Sequence, residues 1–320
     1  MRKEAAKMWT CPACSINVID NKYVCTACGF DKRADFVGVR TLSVVSQKEI
    51  DCYYQFFSSF RKETYTNGDW YEGEFKNRKR HGKGIYHYVS GERYEGDFVN
   101  GKYEGQGTYY YNNGCTHQGG YKDGKRNGYG KESYASGSRY EGEFLNGKRQ
   151  GKGIYYYSNG CTYEGYWKDD KKNGYGKENF VNGKRYEGDY LSGKRQGKGI
   201  YYFNNGDRYE GKFADGKYNG YGTFYWSNGV KFEGQWVNGE RRNGKVTYAN
   251  GDIYDGQFLN DKRHGKGIYH YANGERYEGD YFEGMRQGQG TMYYKNGRKD
   301  EGEWQNDQFV KKSFFNKLFK

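Results

Sequence analysis

Apolar and polar positions alternate in short bursts along most of the chain. Ile85-Tyr86-His87-Tyr88 is one burst and Tyr94-Glu95-Gly96-Asp97-Phe98 is the next. In each, every second side chain falls on one face and the aromatics fall together, the pattern of a half-buried β-strand. Ser90-Gly91 stands between these two bursts, and Asn113-Gly114 or Asn273-Gly274 holds the same place elsewhere. Such dipeptides predict two-residue hairpin turns of type I′, with positive φ at both central residues. The tripeptide Tyr-Glu-Gly, or a close variant, begins at Tyr71, Tyr94, His117, Tyr140, Tyr163, Tyr186, Tyr209, Phe232, Tyr254, Tyr277 and Asp300. The step is 23 residues throughout, except for one of 22 between Phe232 and Tyr254. The fold class predicted by this register is all-β, an array of about eleven hairpins.

The remainder of each unit, such as the stretch from Asn146 to Gly153, is polar and Gly-rich and reads as a linker into the next hairpin. It has a superficial likeness to a phosphate loop, but the full spacing of that motif is missing and the string recurs from unit to unit. The Gly of Tyr-Glu-Gly lies between two aromatics on one strand face, which leaves room for a ring to lie flat across the backbone.

Composition sharpens this picture. Of 320 residues, 51 are Gly and one is Pro, and apolar types reach only 34%. A chain this polar would suggest disorder, but aromatics make up 20% of it, with 38 Tyr, and disordered chains are poor in aromatics. The expected core is therefore thin and aromatic. The net charge of +13 is spread along the chain and is densest at the C-terminus. It permits attraction to anionic lipid or nucleic acid without demanding either. No run approaches the roughly 18 apolar residues that span a bilayer. The opening stretch, Met1 to Lys7, has no apolar segment behind it that would act as a secretory signal, so a cytoplasmic protein is the expectation.

The unit Tyr-Glu-Gly-x-Phe-x-Asn-Gly-Lys-x-x-Gly-x-Gly closely resembles the MORN (membrane occupation and recognition nexus) repeat over residues 70–309. The resemblance implies an elongated ribbon or solenoid made of a single antiparallel sheet with an aromatic groove. It also implies a non-catalytic role in scaffolding, dimerisation, or contact with membranes, cytoskeleton or cilium. Departures are few: Arg78 and Asp170 replace the Gly at position 8 of the unit, and His117-Gln118 replaces Tyr-Glu. The short unit from Phe232 lacks its first linker Gly, which predicts a local bend. The residues expected to face a protein partner in the groove are Tyr94, Phe98, Tyr140, Phe144, Tyr163, Trp167, Tyr186, Tyr190, Tyr209 and Phe213. The carboxylates at position 2 (Glu72, Glu95, Glu141, Glu164, Glu187 and Glu210) are expected to meet Arg80, Arg126, Arg149 and Arg195 on the solvated face.

Residues 1–30 carry a different signal. Cys11, Cys14, Cys25 and Cys28 form two C-x2-C pairs separated by ten residues, with Gly29 after the second. Two such knuckles present four thiolates to one tetrahedral ion, so a structural Zn2+ is expected in a segment that resembles a small zinc ribbon. A single iron and four unliganded thiols are the alternatives. In the linker 31–64, Ser46 and Glu49 have capping-box spacing ahead of Ile50, Tyr53, Tyr54, Phe57 and Phe60. This predicts an amphipathic helix that covers the first strand of an array starting near Tyr65 and ending at Phe309. A docking helix for a partner is the alternative. The tail 310–320 holds Lys311, Lys312, Phe314, Phe315, Lys317, Leu318, Phe319 and Lys320. It reads as a second capping helix or as a basic aromatic anchor for a membrane surface.

No nucleophile–base constellation stands out, and the five histidines follow the repeat without metal-ligand spacing. The leading expectation is an interaction scaffold that is no enzyme and binds protein partners, a second copy of itself included. Binding of acidic phospholipid through the linkers and tail is the alternative, and nucleic-acid binding a distant third. The purified chain is expected to carry a single zinc ion by mass spectrometry of the intact protein, and the Cys11→Ser, Cys28→Ser variant to carry none. Iron, or an empty wild-type protein, would refute the assignment.

Overall fold

Glycines at fixed intervals let one chain pass back and forth with almost no loop. The computed structural model describes residues 59–310, together with the backbone of four short strands before them. The chain divides into two compact units, Met1–Ala135 and Ser136–Lys320. In the first, seven strands from Phe60–Thr64 to Lys125–Ser133 pair antiparallel in chain order. In the second, sixteen strands from Arg139–Leu145 to Gln308–Phe309 do the same. A repeat gives one seven-residue strand, such as Arg185–Leu191, and one nine-residue strand, such as Lys194–Tyr202.

The turns are the reverse of those expected. At Ser90-Gly91, Asn113-Gly114 and Asn273-Gly274 only the Gly has positive φ. Tyr88 accepts from the Gly91 N–H and donates its own N–H to Glu92, closing a three-residue loop with a left-handed glycine. The Asn113 side chain accepts from the N–H of Cys115, a local bond that holds Asn113 out of the left-handed region. The type I′ pairs are instead Asn100-Gly101 (φ 51° and 87°) and Asn146-Gly147 (51° and 86°). The presumed linker after Asn146 is thus a two-residue turn followed at once by the strand Lys148–Tyr156. Its alternation is hidden in sequence by a bulge. Gly142 pairs with Gly153 and Phe144 with Arg149, so Gln150, Gly151 and Lys152 stand against Glu143 alone. Gly151 takes φ 64° there, and the Glu143 carboxylate accepts from the Lys152 N–H at 3.1 Å.

The short repeat uses the same bulge as its shock absorber. Gln235 pairs with Asn243 and Trp236 with Arg241, which leaves only Arg242 as the extra residue. Register on both sides is kept, with Phe232 opposite Val246.

The core of each sheet is built by the first residue of the repeat. Tyr186 is fully buried, and its hydroxyl donates to the Asp189 carbonyl at 3.0 Å. The ring crosses Gly188 and Gly199, which are paired on adjacent strands. A Cβ on Gly199 would stand 2.5–2.7 Å from the outer ring atoms of Tyr186. Tyr190 and Phe213 then meet the Tyr186 ring edge-on, with centroids 5.3 and 5.0 Å away. Such contacts add about 0.5–1.5 kcal/mol each to the burial of the rings.

At the N-terminal side, Phe60 does not continue the predicted helix. It opens the strand Phe60–Thr64 and pairs with Glu74, so the strands begin before Tyr65. The spacing that placed Phe60 on a helix face is outweighed by the open hydrogen-bonding edge of Trp70–Lys76, which this strand covers. Arg61 lies 3.8 Å over the Phe75 ring and Lys62 3.8 Å over Trp70. Before it, Met8–Thr10 pairs with Asn17–Ile19, and Val24–Cys25 with Phe30–Asp31. Cys11 and Cys14 fall between the first two strands in sequence, and Cys28 between the second two. The remainder of the cysteine module, the amphipathic segment from Ile50 to Phe57 and the tail 311–320 lie outside the described residues.

Gly199→Ala is expected to lower stability in urea unfolding by about 1–3 kcal/mol through overpacking. Combined with Tyr186→Ala, it should cost much less than the sum of the two changes, because the ring it strikes is gone. An additive pair would mean that ring and glycine are not in contact.

Candidate aromatic groove

Strand alternation gives each sheet two unlike faces. On one, carboxylates at position 2 of the repeat pair with the cation two residues earlier on the same strand. Arg93–Glu95 (3.8 Å), Arg139–Glu141 (3.6 Å), Arg185–Glu187 (3.3 Å) and Arg276–Glu278 (3.6 Å) are examples. These arginines also cover rings on the neighbouring strand, such as Arg139 over Tyr156 at 3.7 Å and Arg185 over Tyr202 at 4.1 Å.

The expected pairing of these carboxylates with Arg80, Arg126, Arg149 and Arg195 is not what the structure shows. Those cations occupy position 10, directly across from the aromatic at position 5, as in Phe75 with Arg80 and Tyr190 with Arg195. They therefore lie on the aromatic face. Arg80 sits 4.4 Å over Tyr86, Arg149 4.5 Å over Trp167 and Arg286 4.4 Å over Trp304. The guanidinium of each reaches the next tight turn. Arg80 donates to the Gly101 carbonyl at 2.9 Å, Arg149 to that of Asp170 at 3.0 Å, and Arg286 to that of Asp307 at 2.7 Å.

The aromatic face has a sealed floor and a half-exposed upper layer. All ten residues expected to touch a partner belong to the floor. Tyr94, Tyr140, Tyr163, Tyr186 and Tyr209 have no exposed surface, and Phe98, Phe144, Trp167, Tyr190 and Phe213 have at most 5%. They hold the sheet together and offer almost nothing to a ligand. The upper layer is made by positions 10, 16 and 18, most of them half-buried, although Tyr86, Glu132, Val246 and Met292 at position 16 are buried. In the second unit a row of rings runs Tyr201, Phe203, Phe224, Trp226, with successive centroids 4.8, 5.5 and 4.6 Å apart, all half-buried. In the first unit Tyr88, Tyr109 and Tyr111 form the corresponding row. Sequence reading missed this layer because it took the strand holding position 10 for a loop. The signal was the even spacing of positions 10, 16 and 18.

Two departures from the aromatic pattern place carboxylates in this layer. Glu178 takes a ring's place at position 16 and binds Lys172 at 2.5 Å, Arg195 at 3.2 Å and the Tyr190 hydroxyl at 3.1 Å. Burial pushes its carboxyl up, but Lys172 and Arg195 outweigh this and hold it below the usual range. In the first unit Glu132 is paired with Arg126 and accepts from the Tyr134 hydroxyl at 2.6 Å. Asp170, Asp261 and Asp307, at turn position 8, similarly pair with Arg149, Arg241 and Arg286 at 3.1, 2.8 and 3.1 Å. Two hollows interrupt the layer. One, of about 560 Å³, is bordered by Tyr65, Arg80 and Tyr86, and the other, of about 430 Å³, by Trp226, Val246 and Arg263.

The family model of the MORN repeat matches ten consecutive segments, from 71–93 to 277–297. The chain belongs to the MORN-repeat family. A comparison with curated proteins finds no significant match. Among solved structures, the TCP10 domain of Danio rerio CPAP shares 13% identity at a TM-score of 0.36, over 61% of this chain and 92% of that one. The TCP domain of Drosophila melanogaster SAS-4, in complex with a proline-rich motif of Ana2, shares 16% at 0.32, over 48% and 84%. Scores this low carry no argument about what the present chain binds.

One buried floor position holds an imidazole. His117 replaces the first tyrosine of its repeat and is fully buried. Burial, and then the charge of Arg126, push its imidazole down from 6.5 to about 3. The unfolded chain takes up a proton there before the folded one does. Stability is therefore complete above pH 6.5 and falls on the way towards pH 3, by up to about 1.4 kcal/mol per pH unit. His117→Phe, which copies Phe232 at the same repeat position, should reduce the loss of stability between pH 7 and pH 5 in urea unfolding. An unchanged loss would refute this role for His117.

Proposed function

We propose that the chain is a non-catalytic interaction scaffold that receives a segment of a protein partner on the upper layer of its aromatic face. The observation that carries this reading is the division of labour between layers. Packing is completed by the buried rings of the floor, yet a second row of rings and guanidinium groups stands half-exposed above it. Large rings with few rotamers and planar cations are the residue types that anchor protein interfaces. A second copy of the chain is one such partner.

The membrane reading is weakened at the turns. Lys102, Lys148, Lys194 and Lys262 each bind an acid of the next turn at 2.8–3.1 Å, which cancels much of the charge that acidic phospholipid would meet there. Recruitment through the tail residues 311–320 stays a separate proposal.

Affinity capture with quantitative mass spectrometry tests the scaffold reading. Tyr201→Ala with Phe224→Ala should lose the partners recovered by wild type, while Tyr202→Ala on the opposite face keeps them. Equal recovery by both variants, or loss with both, would overturn it. Flotation with phosphoinositide vesicles at physiological salt should leave a chain ending at Val310 at the bottom.

A further inference from the structure

Two valines break the aromatic upper layer at the short repeat. Position 16 is Val246, where Tyr155, Tyr201, Phe224 and Tyr269 stand in other repeats of the same unit, and position 22 of the preceding repeat is Val230. The missing ring leaves the hollow of about 430 Å³, walled by Trp226, Val230, Val246, Tyr248, Phe258 and Tyr269. Three cations border it, Arg241, Lys262 and Arg263. Arg241 is bound to Asp261 at 2.8 Å and Lys262 to Glu283 at 2.8 Å. Arg263 differs. Its Nε and Nη2 both donate to the Gly284 carbonyl, at 3.1 and 2.6 Å, and no carboxylate among the described residues forms an ion pair with it. Asp252, just before the neighbouring strand Ile253–Leu259, is engaged by the Ala272 N–H, the Tyr269 hydroxyl and Asn250.

We infer that this hollow is a specificity pocket for an acidic side chain flanked by apolar residues, presented by a segment of a protein partner. The inference rests on the scaffold reading above and deepens it. Three features fix the chemistry. About half of the wall is aromatic and aliphatic, so the occupant buries apolar surface on that side, and the one carboxylate on the polar side, Asp261, is taken up by Arg241. One cation is left without a counter-charge in a half-buried setting, where an ion pair is stronger than at an open surface. A single guanidinium without an acidic partner matches the single charge of a carboxylate, whereas a phosphate dianion calls for more than one cation. The basic tail 310–320, which has lysines and no acid, is a poor occupant on the same grounds.

The test uses the full chain and a phage-displayed library of random twelve-residue peptides. Wild type should enrich peptides with Asp or Glu next to Leu, Phe, Trp or Pro. The selected peptides, made synthetically, should bind Arg263→Gln at least about tenfold more weakly, while their Gln-for-Glu analogues bind both proteins alike. Val246→Phe, which restores the ring used at Phe224, should abolish binding of the same peptides with an unchanged thermal melt. Enriched peptides without acidic residues, or acidic peptides indifferent to both variants, would overturn the pocket. If those peptides still lose binding with Tyr201→Ala and Phe224→Ala, the scaffold reading stands without it. If no peptide is enriched on any variant, and affinity capture also fails, both readings fall.

Discussion

A tyrosine ring lying across two glycines is the contact on which everything else in each sheet depends. The ring needs backbone on adjacent strands to be bare, so Gly188 and Gly199 face each other beneath Tyr186. In return the ring seals a sheet that has no second layer to pack on. It ends in a hydroxyl satisfied by a main-chain carbonyl, so burial leaves no polar atom stranded. The same arrangement recurs at Tyr140, Tyr163, Tyr209, Tyr254 and Tyr277, each with its hydroxyl on the carbonyl three residues on. Repeat proteins gain stability through such nearest-neighbour terms, and here the term is an edge-to-face contact between the first ring of one repeat and the fifth residue of the next.

The bulge is the second constraint, because it decides which side chains join the floor. By setting three residues against one, it returns the long strand to the register that brings position 10 across from position 5. A guanidinium delivered there lies over a ring, and the turn of the next repeat offers a carbonyl for its N–H groups. The cations of the aromatic face are thus structural partners of the turns before they are anything else. This explains why losing one residue in the short repeat is tolerated. Arg241 still reaches Asp261 because a one-residue bulge keeps it opposite Trp236.

Much of this was legible in the sequence. Period, strand class, the inward aromatics and the need for bare backbone beneath them all follow from alternation and from the spacing of glycine. The turn types were not, because the Asn-Gly pairs at Asn113 and Asn146 look alike. What separates them is the asparagine side chain, which at Asn113 caps a neighbouring N–H. The site was only half legible. The same aromatic residues that identify the face are spent in making it, and a periodic pattern cannot say which rings are left over. The position-10 cations were misplaced because glycines at positions 12 and 14 disguise a strand as a loop.

That separation of roles locates individuality within a repeat array. Positions 1, 3, 5 and 14 are bound by the ring-on-glycine contact, and a change there is met by the core. His117 shows the cost, a buried imidazole kept neutral where every other repeat but the last has a phenol or phenyl ring. Positions 10, 16 and 18 stand above the floor and vary without unmaking it. Position 16 alone is Tyr201, Phe224, Glu178, Val246 or Met292 in the second unit, with strand pairing kept throughout. Each such choice alters local charge or depth: Glu178 draws Lys172 and Arg195 together, and Val246 opens a hollow beside Arg263. An array built this way is uniform in what holds it up and particular in what it shows, so the residues that break the period without breaking the sheet are the ones that set one repeat's surface apart from the next.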